Sequence, residues 1–476
     1  MLPPSPKTLS GVWWLGPDAR FRHGEVRLRA GRIQSLRADE TRPVPPPGVP
    51  FLVPGLIDAH VHLREPGQSY KEGIANGTAA ALAGGVTLLL DMPNNRPPVT
   101  TPARLDAKRA RFAARSRTNY ALFLQADPAR PPHPFPPRAA ALKIYMSPAS
   151  PLPPVRDPAD LAALFRAAPR VTLHAEDDRF FRTDPSLPHH LRRPRPAIAR
   201  ALRAVETAWR SLPPAERPRL VLAHVSTAGE LRWADRMRRL GCDLRLETCP
   251  HYLLFTQRDA LAAGPLLQVN PPLRTPADRA ALRRALLSGA IDLISTDHAP
   301  HLPAEKAGAV PPSGLATVEW LGPLLLTLAL RGLLPWPRYL ALTATGPAAA
   351  YSLPPDRVPA IAPGHPADFL LVEPLPPGPA AKFAKAWQKW PEFAKPWQNP
   401  KTVPQKICQG LAKNARICQT LAKTDFPAQT ATRAAFNPYA RFPFACRIEA
   451  VYLAGRLAAR RGRPVGPPTG KEITPA

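Results

Sequence analysis

Side chains able to grip a metal recur where apolar runs end. His60 and His62 stand one residue apart in PGLIDAHVHLREPG. Residues i and i+2 of an extended chain point to the same side, so both imidazoles can face one divalent ion. A single H-x-H pair reads equally well as two polar residues in a turn. Recurrence tips the balance: Lys143 interrupts the apolar run AALKIY, His174 closes VTLH, His224 closes LVLAH and Asp297 closes IDLISTD. A lysine inside an apolar strand either snorkels to the strand end or gives up its proton. As a neutral amine it can take up carbon dioxide and become a carbamate, whose two oxygens suit a bridge between two ions. Two divalent ions about 3.5–4 Å apart activate water and polarise a carbonyl oxygen, which is machinery for hydrolysis. Asp297 can bind a metal and also carry a proton to a leaving nitrogen, as a general acid/base does.

These residues need a scaffold that gathers strand ends. From residue 51 onward apolar runs of strand length alternate with helix-forming stretches, the pattern of βα units on a parallel sheet. The candidate strands are Phe51–Ile57, Gly85–Asp91, Asn119–Leu124, Ala140–Tyr145, Arg170–Leu173, Leu220–Ala223, Cys242–Glu247 and Ala290–Ser295. Segments such as Ala75–Ala83, Asp160–Ala168, Ala197–Ser211, Gly229–Leu240 and Ala277–Leu287 can form the covering helices. The predicted class is therefore α/β, a TIM-type (β/α)8 barrel with its site at the C-terminal strand ends. Gly84-Gly85 permits a close helix-to-strand turn; no phosphate-loop pattern follows it.

Outside the barrel the alternation changes to a period of two. Residues 11–38, PGHPADFLLVE (363–373) and CRIEAVYLAGRLAAR (446–460) read as strands and hairpins. They predict a small flanking β-sandwich domain built from both chain ends. The expected partition is 1–50, 355–374 and 438–466 for that domain, 51–354 for the metallo-hydrolase barrel, 375–437 for a basic low-complexity insertion, and 467–476 for a tail. In the insertion FAKAWQ (383–388) recurs as FAKPWQ (393–398), and ICQGLAK (407–413) as ICQTLAK (417–423). A ten-residue spacing is not a usual solenoid period. Ten Lys or Arg against Glu392 and Asp425 give this stretch +8.

Composition excludes several classes. Hydrophobic residues at 45% and charged residues at 21% exclude wholesale disorder. The net charge of +29 raises nucleic-acid binding. Arginine, alanine and proline are enriched together along nearly the whole chain, however, and no basic run interleaves aromatics, so no nucleic-acid partner is expected. The five cysteines, Cys242, Cys249, Cys408, Cys418 and Cys446, contain no C-x-x-C pair and indicate neither a disulfide framework nor a cysteine zinc site. MLPPSPKTLSGVWWLG lacks a signal-peptide apolar core, and no run of 18 apolar residues occurs. A cytoplasmic protein without a membrane partner is the expectation.

PGLIDAHVHLREPG, YKEGIANGTAAALAGGVTLLLDMPNN, LKIYMSP, LHAED, AHVS, ETCPHYL, NPPLR and STDHAPH resemble, in order and approximate spacing, the dihydroorotase branch of the amidohydrolase superfamily. The resemblance runs from residue 51 to about residue 350. It implies a binuclear zinc site, with two Zn2+ ions per subunit. The implied reaction is reversible hydrolysis of the cyclic amide of (S)-dihydroorotate to N-carbamoyl-L-aspartate, the third step of de novo pyrimidine synthesis. It matches His60 and His62 to the first ligand pair, His174 and His224 to the second, and Asp297 to the ligand that is also the acid/base. Lys143 matches the carboxylated bridging lysine of part of the family; other bacterial members use a loop aspartate, and Asp157 and Asp160 are in no obvious matching position. Arg64, Asn94 and His301 match residues that hold the substrate carboxylate and ring, Asn270 a further contact, and Ser313 and Gly314 a loop that touches the ring through its backbone. A small-molecule substrate, a homodimer and a complex with aspartate transcarbamoylase are the partners it implies.

Other histidines and acids have blander readings: His251 packs, His298 orients its loop, Glu176 and Asp177 support the His174 region, Cys249 is buried filler, and His189, His190 and His133 are solvated. Hydantoinase and allantoinase share the ligand set, but Arg64 and His301 suit a ring carboxylate that hydantoin and allantoin lack. A non-catalytic dihydroorotase-like subunit that supports aspartate transcarbamoylase is the other alternative. Relatives of that kind lose ligands, whereas here the full set is present.

Overall fold

Eight apolar segments pair side by side in chain order as one parallel sheet: Leu56–Val61, Val86–Asp91, Asn119–Gln125, Ala139–Tyr145, Arg170–His174, Arg219–Leu222, Leu244–Thr248 and Leu293–Ile294. The computed structural model describes residues 8–376, 432–434, 436–440 and 442–476. Seven parallel ladders join neighbours in this sheet. The barrel closes where the eighth strand meets the first. There Val61 bridges His298, and the His62 amide donates to the His298 carbonyl at 2.7 Å. Asp58 completes the seam by accepting from the amide and hydroxyl of Thr296 at 3.0 and 2.5 Å. This seam sets the His60-x-His62 strand end beside Asp297.

The strands are buried on both faces, which is why they read as continuous apolar runs rather than alternating ones. Ile57, Leu88, Leu90, Phe123, Val221 and Leu293 belong to the cluster inside the barrel. At its N-terminal end the last residues of the chain dock underneath. The Tyr120 amide donates to the Lys471 carbonyl at 2.9 Å, the Ile473 amide returns to Tyr120 at 2.8 Å, and Ile473 is buried with Tyr351 and Leu353. Outer helices start at side-chain caps. Thr227 and Glu230 form a reciprocal box before Ala228–Arg239, and Thr275 and Asp278 one before Pro276–Ser288.

The sequence run Phe51–Ile57 is divided between two sheets. Phe51–Pro54 pairs with Phe369–Val372 and with Trp13–Trp14, whereas Leu56–Val61 opens the barrel. Gly55 stands at the crossing because a Cβ there would lie 2.1 Å from the Thr87 hydroxyl. The second sheet takes eight strands from both chain ends, its order running from Arg463–Pro464 through Phe51–Pro54 to Arg32–Arg42. Its two hairpin tips, Ala30-Gly31 and Ala454-Gly455, meet over Trp14, Val26, Leu28, Ile33, Leu52 and Phe369, which gives the sandwich core.

The repeats at 383–423 lie outside the described residues. Residues 432–434, assigned to the insertion above, are packed against the barrel. Ala434 is buried, and Arg433 donates to the Ser69 carbonyl at 3.1 Å. Tyr439 and Phe442, beyond them, belong to the main core, with Tyr439 stacked on Phe255.

Candidate metal centre and substrate site

Two histidines at the end of the first barrel strand are held by their outer nitrogens. His60 donates from Nδ1 to Glu247 Oε1 at 2.7 Å, and His62 from Nδ1 to Asn94 Oδ1 at 2.7 Å. Each Nε2 is then a bare lone pair, and the two face one Asp297 oxygen at 3.4 and 3.1 Å. Burial pushes His62 down to about 4, toward the neutral imidazole that a metal ligand requires. Burial would raise the Asp297 carboxyl, but His60, His62 and His224 hold it well below the usual carboxylate range. His60, His62 and Asp297 offer three ligand atoms within 4.8 Å of one another, a set that could hold a cation.

On the opposite strands His174 and His224 form the second pair. His174 donates from Nε2 to Glu176 Oε2 at 3.2 Å, leaving Nδ1 3.0 Å from His224 Nε2. Glu176 is fixed in turn by Arg193 at 2.5 Å. The His60 and His224 ring centroids are 5.5 Å apart, so the two pairs share one floor. Lys143 lies in the same strand layer, fully buried, and its Nζ has no hydrogen-bond partner. Burial pushes its amine down to about 8, against the pull of Glu247 and Asp297. A buried amine without a partner beside two histidine pairs fits a lysine carrying a further anionic group. Asp157 and Asp160, the acidic alternatives in sequence, are exposed, and Asp157 caps the helix Pro158–Arg166.

Arg64, His224 and Asp297 all adopt positive φ, at 63°, 43° and 47°. Such backbone costs about 1–3 kcal/mol at each residue and persists where surrounding contacts over-determine it. Here the seam and the Glu247 carboxylate, which accepts from the His224 amide at 3.2 Å, do so.

Beyond the first pair the site becomes cationic. The Arg64 guanidinium lies 3.1 Å from His301 Nε2, and Lys71 Nζ lies 3.2 Å from His301 Nδ1. Burial, then Arg64, Lys71 and Lys306, push His301 down to about 2. After burial, Asp297 is the strongest electrostatic influence on Arg64. Lys71 pairs with Glu305 at 2.8 Å. Two cations thus flank the two nitrogens of one neutral ring, and an imidazole has only one lone pair to offer them. An incoming anion would relieve this crowding.

Asn94 is committed to His62 and, through Nδ2, to the Ala149 carbonyl at 2.9 Å. The Ser313 carbonyl accepts from His301 at 3.1 Å. The Gly314 amide donates to Gln268 at 2.9 Å, and a Cβ there would sit 2.3 Å from the Ala299 carbonyl, so this loop passes flush against His301. Asn270 Oδ1 meets His189 Nε2 at 2.9 Å. His189 is therefore half-buried and bonded rather than solvated, and burial pushes it down to about 4. Asp177 turns away from His174 to Arg179, at 2.6 Å. His298 accepts the Thr317 amide at 3.1 Å and so pins the following loop, while His251 is buried with its ring tilted against Tyr252, centroids 4.3 Å apart. Sequence reasoning passed over Glu247, Lys71, Glu305 and Arg193. Glu247 carried a signal: a carboxylate closing the apolar strand CDLRLE.

The Amidohydrolase family matches residues 51–127 and 252–401. A dihydroorotase from Thermus aquaticus is 34% identical over 78% of this chain and 93% of its own length. One from Halobacterium salinarum is 37% identical over 68% of this chain and 77% of its own. Among solved structures, an L-hydantoinase (dihydropyrimidinase) from Arthrobacter aurescens superposes with a TM-score of 0.76 over 98% of this chain and 99% of its own. At 20% identity that likeness speaks for the barrel and its flanking sheet alone. With the histidine pairs, Asp297 and the cationic corner in place, these relatives settle the lineage: the chain belongs to the dihydroorotase family of the amidohydrolases.

Proposed function

We propose that the protein hydrolyses, reversibly, the ring amide of dihydroorotate to N-carbamoyl-aspartate. One observation carries this reading over other cyclic amidases: the buried corner of Arg64, Lys71 and His301 next to the His60, His62 and Asp297 donor set. A ring carboxylate matches that corner through charge-assisted bonds, whereas hydantoin would leave it unanswered.

We assign two zinc ions to the site, one to His60 and His62, the other to His174 and His224, with Asp297 as a further ligand of the first. Lys143, as a carbamate, would be their shared ligand. Bound there, the ions supply Lewis acidity that polarises the ring carbonyl and makes water more acidic. The chain's own residues do the rest. Arg64 and His301, with Asn94, Asn270 and the Ser313–Gly314 backbone, orient the ring so that its amide carbon faces Asp297. Asp297 accepts a proton from the attacking water, the carbon–nitrogen bond breaks, and the proton passes to the leaving nitrogen. The nitrogen departs as the terminal NH2 of the carbamoyl group, and in reverse the same aspartate removes that proton.

The test is the loss of ultraviolet absorbance as purified protein opens dihydroorotate, with and without a zinc chelator. Turnover abolished by the chelator and restored by zinc supports the reading. Folded, metal-loaded protein that is silent on dihydroorotate but opens hydantoin overturns it in favour of another cyclic amidase; silence on both points to a scaffold subunit.

Lys71→Met removes one cation from the carboxylate corner. A charged hydrogen bond is worth about 1.5–3 kcal/mol, so KM should rise on the order of 10- to 100-fold with kcat little changed. Steady-state kinetics check this.

The basic stretch is proposed to be dispensable for catalysis. Pro374 pairs with Cys446 on adjacent antiparallel strands and the Leu375 amide donates to the Ala445 carbonyl, so the residues that flank the stretch stand side by side. Deleting 378–430 with a short Gly/Ser bridge, while keeping the packed residues from Thr432 onward, should leave turnover unchanged. Loss of folded protein would make the segment structural. A homodimer, a complex with aspartate transcarbamoylase and a cytoplasmic location belong to the same proposal. Among the described residues no helix is long and apolar enough to cross a membrane.

A further inference from the structure

Lys108 belongs to the outer helix Pro102–Arg115, yet its side chain is completely buried. Its ammonium makes an ion pair with Asp91 Oδ2 at 2.5 Å and donates to the Met92 carbonyl at 2.7 Å and to Asn95 Oδ1 at 3.0 Å. Three acceptors match the three protons of an ammonium. Asp91, at the end of the second barrel strand, has its other oxygen occupied by the Leu63 amide at 2.7 Å.

The residues so tied are informative. Leu63 lies between His62 and Arg64, at the point where the backbone turns into the positive φ of Arg64. Met92 and Asn95 bracket Asn94, whose oxygen accepts from His62 Nδ1. One lysine therefore anchors, from behind, both strand-end loops that present the first histidine pair and the carboxylate-binding guanidinium. A pair of charges withdrawn this completely from water is a poor device for stability, because apolar residues of similar volume serve as well or better. Its specific product is geometry: Leu63 and Met92–Asn95 are held in one register by a single cationic point.

We infer that Lys108, acting through Asp91, is a positioning residue for the reaction, fixing Arg64 and Asn94 against the His60 and His62 donor set without touching substrate. The inference rests on the proposed hydrolysis, and its experiment separates the two. The variants are Lys108→Met, Asp91→Asn and the two combined, each assayed for dihydroorotate turnover, metal per chain and melting temperature. Each single change strands one buried charge or removes its partner and should lower the melting temperature. The combined change removes both charges and should recover most of that loss while the asparagine still accepts from Leu63. Because Met92 and Asn95 remain unanchored, kcat/KM per folded, metal-loaded chain should stay at least about tenfold below the parent protein, mainly through KM.

Stability recovered without catalysis recovered is the expected signature. Recovery of both together in the combined variant would reduce the pair to a structural role and overturn the inference. If the parent protein itself does not open dihydroorotate, it is the proposed hydrolysis that fails. In that case binding of the substrate carboxylate, measured by calorimetry with succinate as probe, still reports on Lys108. Weaker succinate binding in the combined variant supports positioning, and equal binding overturns it.

Discussion

Asp297→Asn protein is expected to fold, to retain much of its metal and to turn over dihydroorotate roughly 10²–10⁴-fold more slowly, the contribution of a positioned acid/base. Asparagine keeps an oxygen toward His60 and His62 but cannot accept and return a proton. The structure explains why this residue is so exposed to substitution. Both imidazole lone pairs converge on a single one of its oxygens, and its backbone is held at positive φ by the Asp58–Thr296 seam. Metal content measured alongside kcat checks the assignment. Complete metal loss would make Asp297 chiefly a ligand, and near-normal turnover would remove it from the proton path.

Lys143→Gln should be costlier still. Loss of the proposed shared ligand would remove Lewis-acid stabilisation worth several kcal/mol, on the order of 10³-fold or more in kcat. The alanine variant frees the space the lysine filled, so added acetate or propionate should restore part of the activity by supplying the missing carboxylate. The amine itself gives a pH test. Carbon dioxide reacts with the neutral form, and burial pushes Lys143 down to about 8. Metal-free protein given zinc at a fixed concentration of dissolved carbon dioxide should therefore reactivate faster as the pH rises toward 8, level off above it, and reactivate poorly in buffer purged of carbon dioxide. Reactivation indifferent to carbon dioxide would mean that an uncarboxylated lysine suffices.

What could be read from the sequence divides along a physical line. Strands buried on two faces announce themselves as apolar runs, and a ligand closing such a run is conspicuous, so the barrel and the histidines at its rim were legible. The division of Phe51–Ile57 between two sheets was not, because both halves are equally apolar and the only mark of the crossing is Gly55. Lys71 and Glu305 were passed over for the opposite reason. They lie in polar loops where a lysine or glutamate is unremarkable, and only the fold places them around His301, 230 residues further on from Lys71. Lys108 is the extreme case: its helix is rich in Arg and Lys, and nothing local distinguishes the one that turns inward. His189 went the same way, since a Pro-rich loop hides the fact that it closes onto Asn270.

The passage of the chain through Gly55 reaches beyond architecture. The strand at the middle of the flanking sheet and the strand that begins the barrel are one continuous segment, and the flanking sheet is completed by residues from the far end of the chain. Neither part can be excised as a free-standing fragment, because any cut that releases the barrel severs the backbone leading straight to His60. Calorimetry should accordingly record a single melting transition shared by both sheets. A lesion in the flanking sheet, remote from any substrate, should register at the metal centre as a change in zinc affinity.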